Sequence, residues 1–156
     1  MRTGGTSGRG NAAAGGPVNA AAGATFVFPV RVYFEDTDAA GIVYYASYLK
    51  FLERSRTEWL RALGFGQERL RQQCGIGFAV RSLSIDYLKP ARLDDELLVI
   101  SRLHEAGRAR LVFDQRIECA GAPIARAGVR VACVDLRSMK PAALPEALRR
   151  TFGRLT

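Results

Sequence analysis

Histidine, paired cysteine and long apolar runs are all scarce in this chain, and each shortage removes a class of chemistry. One histidine, His104, and three cysteines (Cys74, Cys119 and Cys133) with no CxxC pair leave no ligand set for a zinc site. An odd cysteine number with no secretory leader points to a reducing cytoplasm, each cysteine acting as a small core hydrophobe. No stretch reaches the roughly 20 apolar residues that a membrane-spanning helix needs, so membrane insertion is not expected. Neither a serine nucleophile elbow nor a phosphate-cradling Walker loop occurs. Acids are missing altogether from residues 1–24, a Gly/Ala-rich stretch with two arginines. That stretch reads as a flexible tail ahead of one domain, residues 25–156.

What remains is enough for a real core: 48% of the 156 residues are apolar. The tail holds 2 of the 23 basic residues and none of the 15 acids, which leaves the body at about +6. A basic body favours an anionic partner. Its charges alternate with acids, however, and no basic helix face or aromatic stacking strip accompanies them, so nucleic acid is not expected as a partner.

Taken in order, Phe26 to Phe34 alternates as a strand, with Pro29 marking an edge or entry position. Ser47 to Leu63 carries a strong helical period, with Tyr48, Leu49, Leu52, Trp59, Leu60 and Leu63 on one arc. Ser47 is the expected N-cap and Gly64 the stop. Arg56 falls inside the apolar arc, and an ion pair with Asp36 or Glu53 is the preferred account of it. A short helical or irregular connection follows from Gly66 to Gly77. Four strand-like runs come next: Phe78–Leu88, Glu96–Leu103, Arg110–Cys119 and Gly128–Val134. Turns at Ala106-Gly107 and at Ala120–Pro123 separate the later ones. A last helix is expected over Pro145–Phe152. The order is that of an α+β domain, one long helix on the face of an antiparallel sheet of about five strands. Such a sheet leaves a face or an edge open, so at least a dimer is expected.

The chain is organised around residues 34–48, where the first strand runs through an acidic loop into the start of the long helix. Asp38 is held a few residues ahead of unpaired backbone N–H groups, whose partial positive charge suits a developing oxyanion. A carboxylate beside such donors is the minimum equipment for acyl-group hydrolysis. The lesser alternative for Asp38 is a turn residue bonding its own backbone. Asp36 and Glu53 are better read as structural or solvated acids. Gly41 supplies a bend or a close approach for substrate, Tyr44 and Tyr45 are candidate lining groups, and Tyr48 is core. Lys89 and Arg92, flanking Pro90-Ala91, are candidates for phosphate contacts with Arg81 behind them. His104 has no expected chemical role.

Three segments resemble a known family: Arg31-Val-Tyr-Phe-Glu-Asp-Thr-Asp38-Ala-Ala-Gly41-Ile-Val-Tyr-Tyr45-Ala-Ser-Tyr48 with Glu53–Leu60, then Asp86–Asp95, then Met139–Pro145. Together they are similar to the hotdog-fold acyl-CoA thioesterases, and most to the YbgC-type branch associated with the Tol-Pal system. The resemblance spans about residues 28–152. It implies a helix wrapped by a curved antiparallel sheet, with active sites at the interface of a homodimer, often paired into a homotetramer. It implies that Asp38 stands where the related 4-hydroxybenzoyl-CoA thioesterases keep their catalytic carboxylate, and that the Tyr45 N–H polarises the thioester carbonyl. YbgC-type chains often carry His where this one has Tyr45, which bears on rate and acyl preference rather than on reaction class.

The expected function is therefore hydrolysis of a short-chain or aromatic acyl-CoA, with no cofactor beyond the coenzyme A of the substrate. Its phosphates also account for the positive body. Asp38 could act as general base or as nucleophile. The alternative is a non-catalytic hotdog partner of acyl carrier protein or of the Tol-Pal envelope machinery.

Overall fold

The structure, a computed structural model, describes residues 25–156; the expected tail lies outside the described residues. Five strands form one antiparallel sheet: β1 (Thr25–Arg31), β2 (Ile76–Tyr87), β3 (Glu96–Ala106), β4 (Arg110–Cys119) and β5 (Ala122–Asp135). Three helices accompany them: α1 (Ser47–Ala62), α2 (Gln67–Cys74) and α3 (Glu146–Gly153). The expected α+β class and hotdog architecture are both borne out.

Strand order is β1-β3-β4-β5-β2. The β4–β5 connection is a two-residue turn in which Ala120 and Gly121 both have positive φ, 49° and 78°. That conformation matches the right-handed twist of the flanking strands. The β3–β4 turn closes with the Gly107 N–H donating to the Arg110 carbonyl at 2.9 Å. No such turn joins β2 to β3. Lys89-Pro90 ends β2 at one edge, and the chain crosses to enter β3 beside β1, so only part of the sheet is a hairpin meander. Register shifts at Val80/Ser82, Leu103/Glu105 and Ile117/Glu118 interrupt the ladders, and irregularities of this kind bend strands and raise their twist. Pro29 sits on the edge strand β1, where a missing N–H is tolerated.

Helix α1 packs on one face of this sheet. Its Tyr48, Phe51, Leu52, Trp59 and Leu60 are buried in one cluster with Leu97, Val99, Leu103, Phe113, Ile117 and Val129. Each large apolar side chain so buried contributes about 1.5–3 kcal/mol. The seam runs through Phe51 and Ser55 rather than through Leu49 and Leu63, which are half-buried.

Three expectations are corrected. β1 stops at Arg31, and a single 3-10 turn (Phe34–Asp36) follows. The N-cap is Ala46, with no side-chain cap; Ser47 is buried in the first turn, its N–H donating to the Tyr44 carbonyl at 2.8 Å. Arg56 makes no ion pair with Asp36 or Glu53. Its Nη1 donates instead to the neutral Gln115 Oε1 at 2.7 Å.

Candidate active site

The loop from the 3-10 turn to α1 is held by its own backbone. Thr37 pairs with Val43, the Asp38 N–H donates to Ile42 O at 3.0 Å, and the Gly41 N–H donates to Asp38 O at 2.9 Å. Gly41 has φ +74°, and a Cβ there would meet nothing within 4 Å. Glycine is needed at this position for its dihedral, not for a close approach of protein atoms.

The two acids of the loop do different things. Asp36 is 3% exposed, and its Oδ2 accepts the Tyr33 N–H at 2.9 Å while its carbonyl accepts the Tyr44 N–H at 2.8 Å. It staples the loop. Asp38 is exposed, and its Oδ1 accepts the Ala40 N–H at 2.8 Å. That is the turn contact expected of an Asx residue. It engages one carboxylate oxygen and leaves Oδ2 without a partner among the described residues.

At the mouth of α1 the N–H groups of Tyr45 and Ala46 reach no acceptor among the described residues. They are the orphan donors that every helix start leaves over. The Tyr45 carbonyl accepts a hydrogen bond from the Tyr87 hydroxyl at 2.8 Å. That carbonyl shares a peptide unit with the Ala46 N–H, so the bond both fixes the unit and polarises its donor. Tyr48 stacks edge-on to Tyr87, with ring centroids 5.3 Å apart, and its hydroxyl accepts the Ala91 N–H at 3.1 Å. The Lys89-Pro90-Ala91 segment is thereby docked against the helix start.

A cleft of about 370 Å³ results, with Asp38, Tyr45, Tyr48, Tyr87 and Lys89 among its walls. Burial lifts the phenols of Tyr48 and Tyr87 above their ordinary value, and the Tyr45 phenol lifts that of Tyr44. These hydroxyls stay neutral near pH 7 and serve as hydrogen-bonding groups, not bases.

Residues 32–152 match the thioesterase-like superfamily. The chain belongs to that superfamily. It is 48% identical over 130 residues to the acyl-CoA thioesterase YbgC of Haemophilus influenzae, covering 83% of this chain and 96% of that one. A solved probable thioesterase from Bartonella henselae superposes with a TM-score of 0.74 at 35% identity, over 78% of this chain and 100% of the other. The 1,4-dihydroxy-2-naphthoyl-CoA thioesterase of Synechocystis superposes at 0.76 with 28% identity, over 85% and 96%. The resemblance to the YbgC-type branch is borne out.

Not every expected site residue of this thioesterase-like chain meets in the cleft. Asp38, Tyr45 and Lys89 do. Gly41 shapes the loop without lining the cleft, and the Tyr44 ring turns onto Tyr45, 4.7 Å between centroids. Arg92 is exposed, its N–H donating to Asp95 Oδ2 at 2.8 Å. Arg81 is exposed at the irregularity in β2, and His104, exposed on β3, lies 3.5 Å from Asp114. Glu53 is exposed and accepts the Thr57 hydroxyl at 2.7 Å. Among the described residues no helix is long and apolar enough to cross a membrane, and no cluster of His, Cys, Asp or Glu is placed to hold a metal. Sequence reasoning passed over Tyr87; its one signal was an aromatic at the end of a strand, two residues before Lys89.

Proposed function

We propose that this chain hydrolyses acyl-CoA thioesters, releasing a free carboxylic acid and coenzyme A, with Asp38 as the acting carboxylate. The supporting observation is one cleft lined by Asp38, whose exposed carboxylate has an unpartnered oxygen, by Tyr45, whose N–H is unpaired at the helix mouth, and by Lys89. The names of the relatives point to the same reaction.

The thioester carbonyl oxygen points at the Tyr45 and Ala46 N–H groups, which carry the negative charge as it develops. One donor at such a position is worth about 10²–10³ in rate. Asp38 takes a proton from water as the oxygen adds to the carbonyl carbon; the tetrahedral intermediate then collapses and expels the coenzyme A thiolate. In the other variant an Asp38 oxygen adds directly, thiolate leaves, and water cleaves the mixed anhydride. The thiolate is a good leaving group, so a lone carboxylate suffices where an amide would demand more. Lys89 meets the phosphates of coenzyme A, with Arg92 further along the same segment. Short-chain and aromatic acyl groups are the proposed substrates.

The reaction runs in the cytoplasm, in a homodimer or homotetramer. The open strand edges β1 and β2 and the 62% exposed Tyr45 mark surface that a second copy would cover. The test is turnover of a panel of acyl-CoAs, followed with a thiol-reactive dye, beside Asp38→Asn. Loss of turnover in a folded variant supports the proposal. Undiminished turnover refutes the role of Asp38, and no turnover by the unaltered protein on any acyl-CoA would leave a partner of acyl carrier protein or of the Tol-Pal machinery as the reading.

A further inference from the structure

Arg56 is a half-buried charged residue that the proposed reaction does not use. It springs from the apolar side of α1 into the space between helix and sheet, half-buried, and burial pushes its guanidinium below the ordinary arginine value. A buried cation normally sits against a carboxylate. Among the described residues no acid lies within ion-pair distance of this one, and its hydrogen bond is to the neutral Gln115 Oε1. Gln115 is itself fixed: its Nε2 donates to Leu52 O at 3.1 Å and to Ser101 Oγ at 2.7 Å, and Ser101 meets Ser55 at 2.8 Å. A chain of buried polar groups thus holds one corner of the guanidinium and leaves its other nitrogens free.

Arg56 lines a cavity of about 90 Å³ together with Trp59, Phe78, Phe113 and Phe152. The cavity shares no lining residue with the Asp38 cleft. It is far below the ~300–1,000 Å³ of pockets that take drug-sized ligands. Its other polar walls are Glu53, Thr57 and Gln67, which bond one another: the Gln67 Nε2 donates to the Thr57 Oγ1, which donates to Glu53.

We propose that this cavity binds a small organic carboxylate, its short aliphatic or single-ring body among the aromatic walls and its carboxylate on the free edge of Arg56. A guanidinium fork matches a planar carboxylate in two parallel hydrogen bonds. A monoanion suits the site better than phosphate because the Glu53 charge already lies nearby. The ligand class is that of the acid released by thioester cleavage, and the site stands on geometry that the proposed reaction does not share.

Trp59, the chain's one tryptophan, lines the cavity and reports on it. Benzoate titrated into the full chain should give a saturable change in Trp59 fluorescence, with an affinity of order millimolar for so small a ligand. Benzamide, of like shape but without charge, should bind about tenfold or more weakly, since it forfeits a charge-assisted pair. Arg56→Lys should weaken benzoate about five- to tenfold through loss of the fork. Glu53→Gln, an exposed change that leaves the core alone, should tighten it about two- to fivefold by removing a like charge. Asp38→Asn should leave benzoate binding unchanged while abolishing turnover, so the two proposals fail separately. Equal binding of benzoate and benzamide, indifference to Glu53→Gln, or no saturable Trp59 response would overturn the inference.

Discussion

The two halves of helix α1 handle their polar groups in opposite ways. At its N-terminal mouth the N–H groups of Tyr45 and Ala46 and one oxygen of Asp38 are left without protein partners, at the surface. Two turns on, Ser55 and one nitrogen of Arg56 join a network with Ser101 and Gln115, and among the described residues no buried side-chain nitrogen or oxygen lacks a partner. Water can satisfy exposed groups until a substrate displaces it, whereas a buried group without a partner costs about 1–3 kcal/mol at all times. Unsatisfied groups therefore survive where they are wet, and that is where chemistry can use them.

The contrast breaks most sharply at Asp38. Replacing it by Asn keeps an oxygen for the Ala40 N–H and so keeps the loop, but removes the base; kcat/KM should fall by about 10²–10⁴ with an unchanged melting curve. The converse change is Gln115→Leu, which strands Arg56 Nη1 and takes one of two partners from Ser101 and from the Leu52 carbonyl. It should lower stability by about 2–4 kcal/mol in urea unfolding. Replacing Ser55 alone by alanine should cost less than Gln115→Leu, since Ser101 keeps the hydrogen bond it accepts from Gln115 Nε2.

Two smaller effects sharpen the account of the mouth. Tyr87→Phe removes the hydroxyl that fixes and polarises the Tyr45–Ala46 peptide. It should lower kcat about two- to tenfold with KM unchanged, the worth of one hydrogen bond felt as charge develops. Gly41→Ala should cost about 1–2 kcal/mol from the positive φ alone, since a Cβ there meets nothing within 4 Å. The phenols of Tyr48 and Tyr87 are held above the ordinary value of 10.0 by burial. Folding thus favours their protonated form, and their share of stability is complete below pH 10 and lost as pH rises through the folded values. Tm should be flat up to about pH 9 and fall above 10, and less steeply in Tyr87→Phe.

How much of this was legible in the residues follows from the range of the interactions. Element order, the long helix, the edge position of Pro29 and the acidic loop rest on local periodicity and turn chemistry, and the structure reproduces them. Strand order is not local: nothing within Phe78–Leu88 says that it pairs with β5 rather than β3. Arg56 could be seen to be out of place on an apolar arc, but its partner lies 59 residues away on β4 and is neutral, so reasoning from opposite charge chose acids that lie nearer in sequence. Residue type alone makes Ser47 a cap, and packing of the first turn puts it inside instead. Tyr87 has little local signal because its role depends on a carbonyl 42 residues back.

The most direct measurement is a crystal structure with a non-hydrolysable acyl-CoA analogue bound. The account predicts the carbonyl oxygen about 2.7–3.1 Å from the Tyr45 or Ala46 N–H, with an Asp38 oxygen in contact with the carbonyl carbon or with a water poised over it. A thioester seated elsewhere, with the helix mouth still solvated and Asp38 still turned only to its own loop, would contradict it.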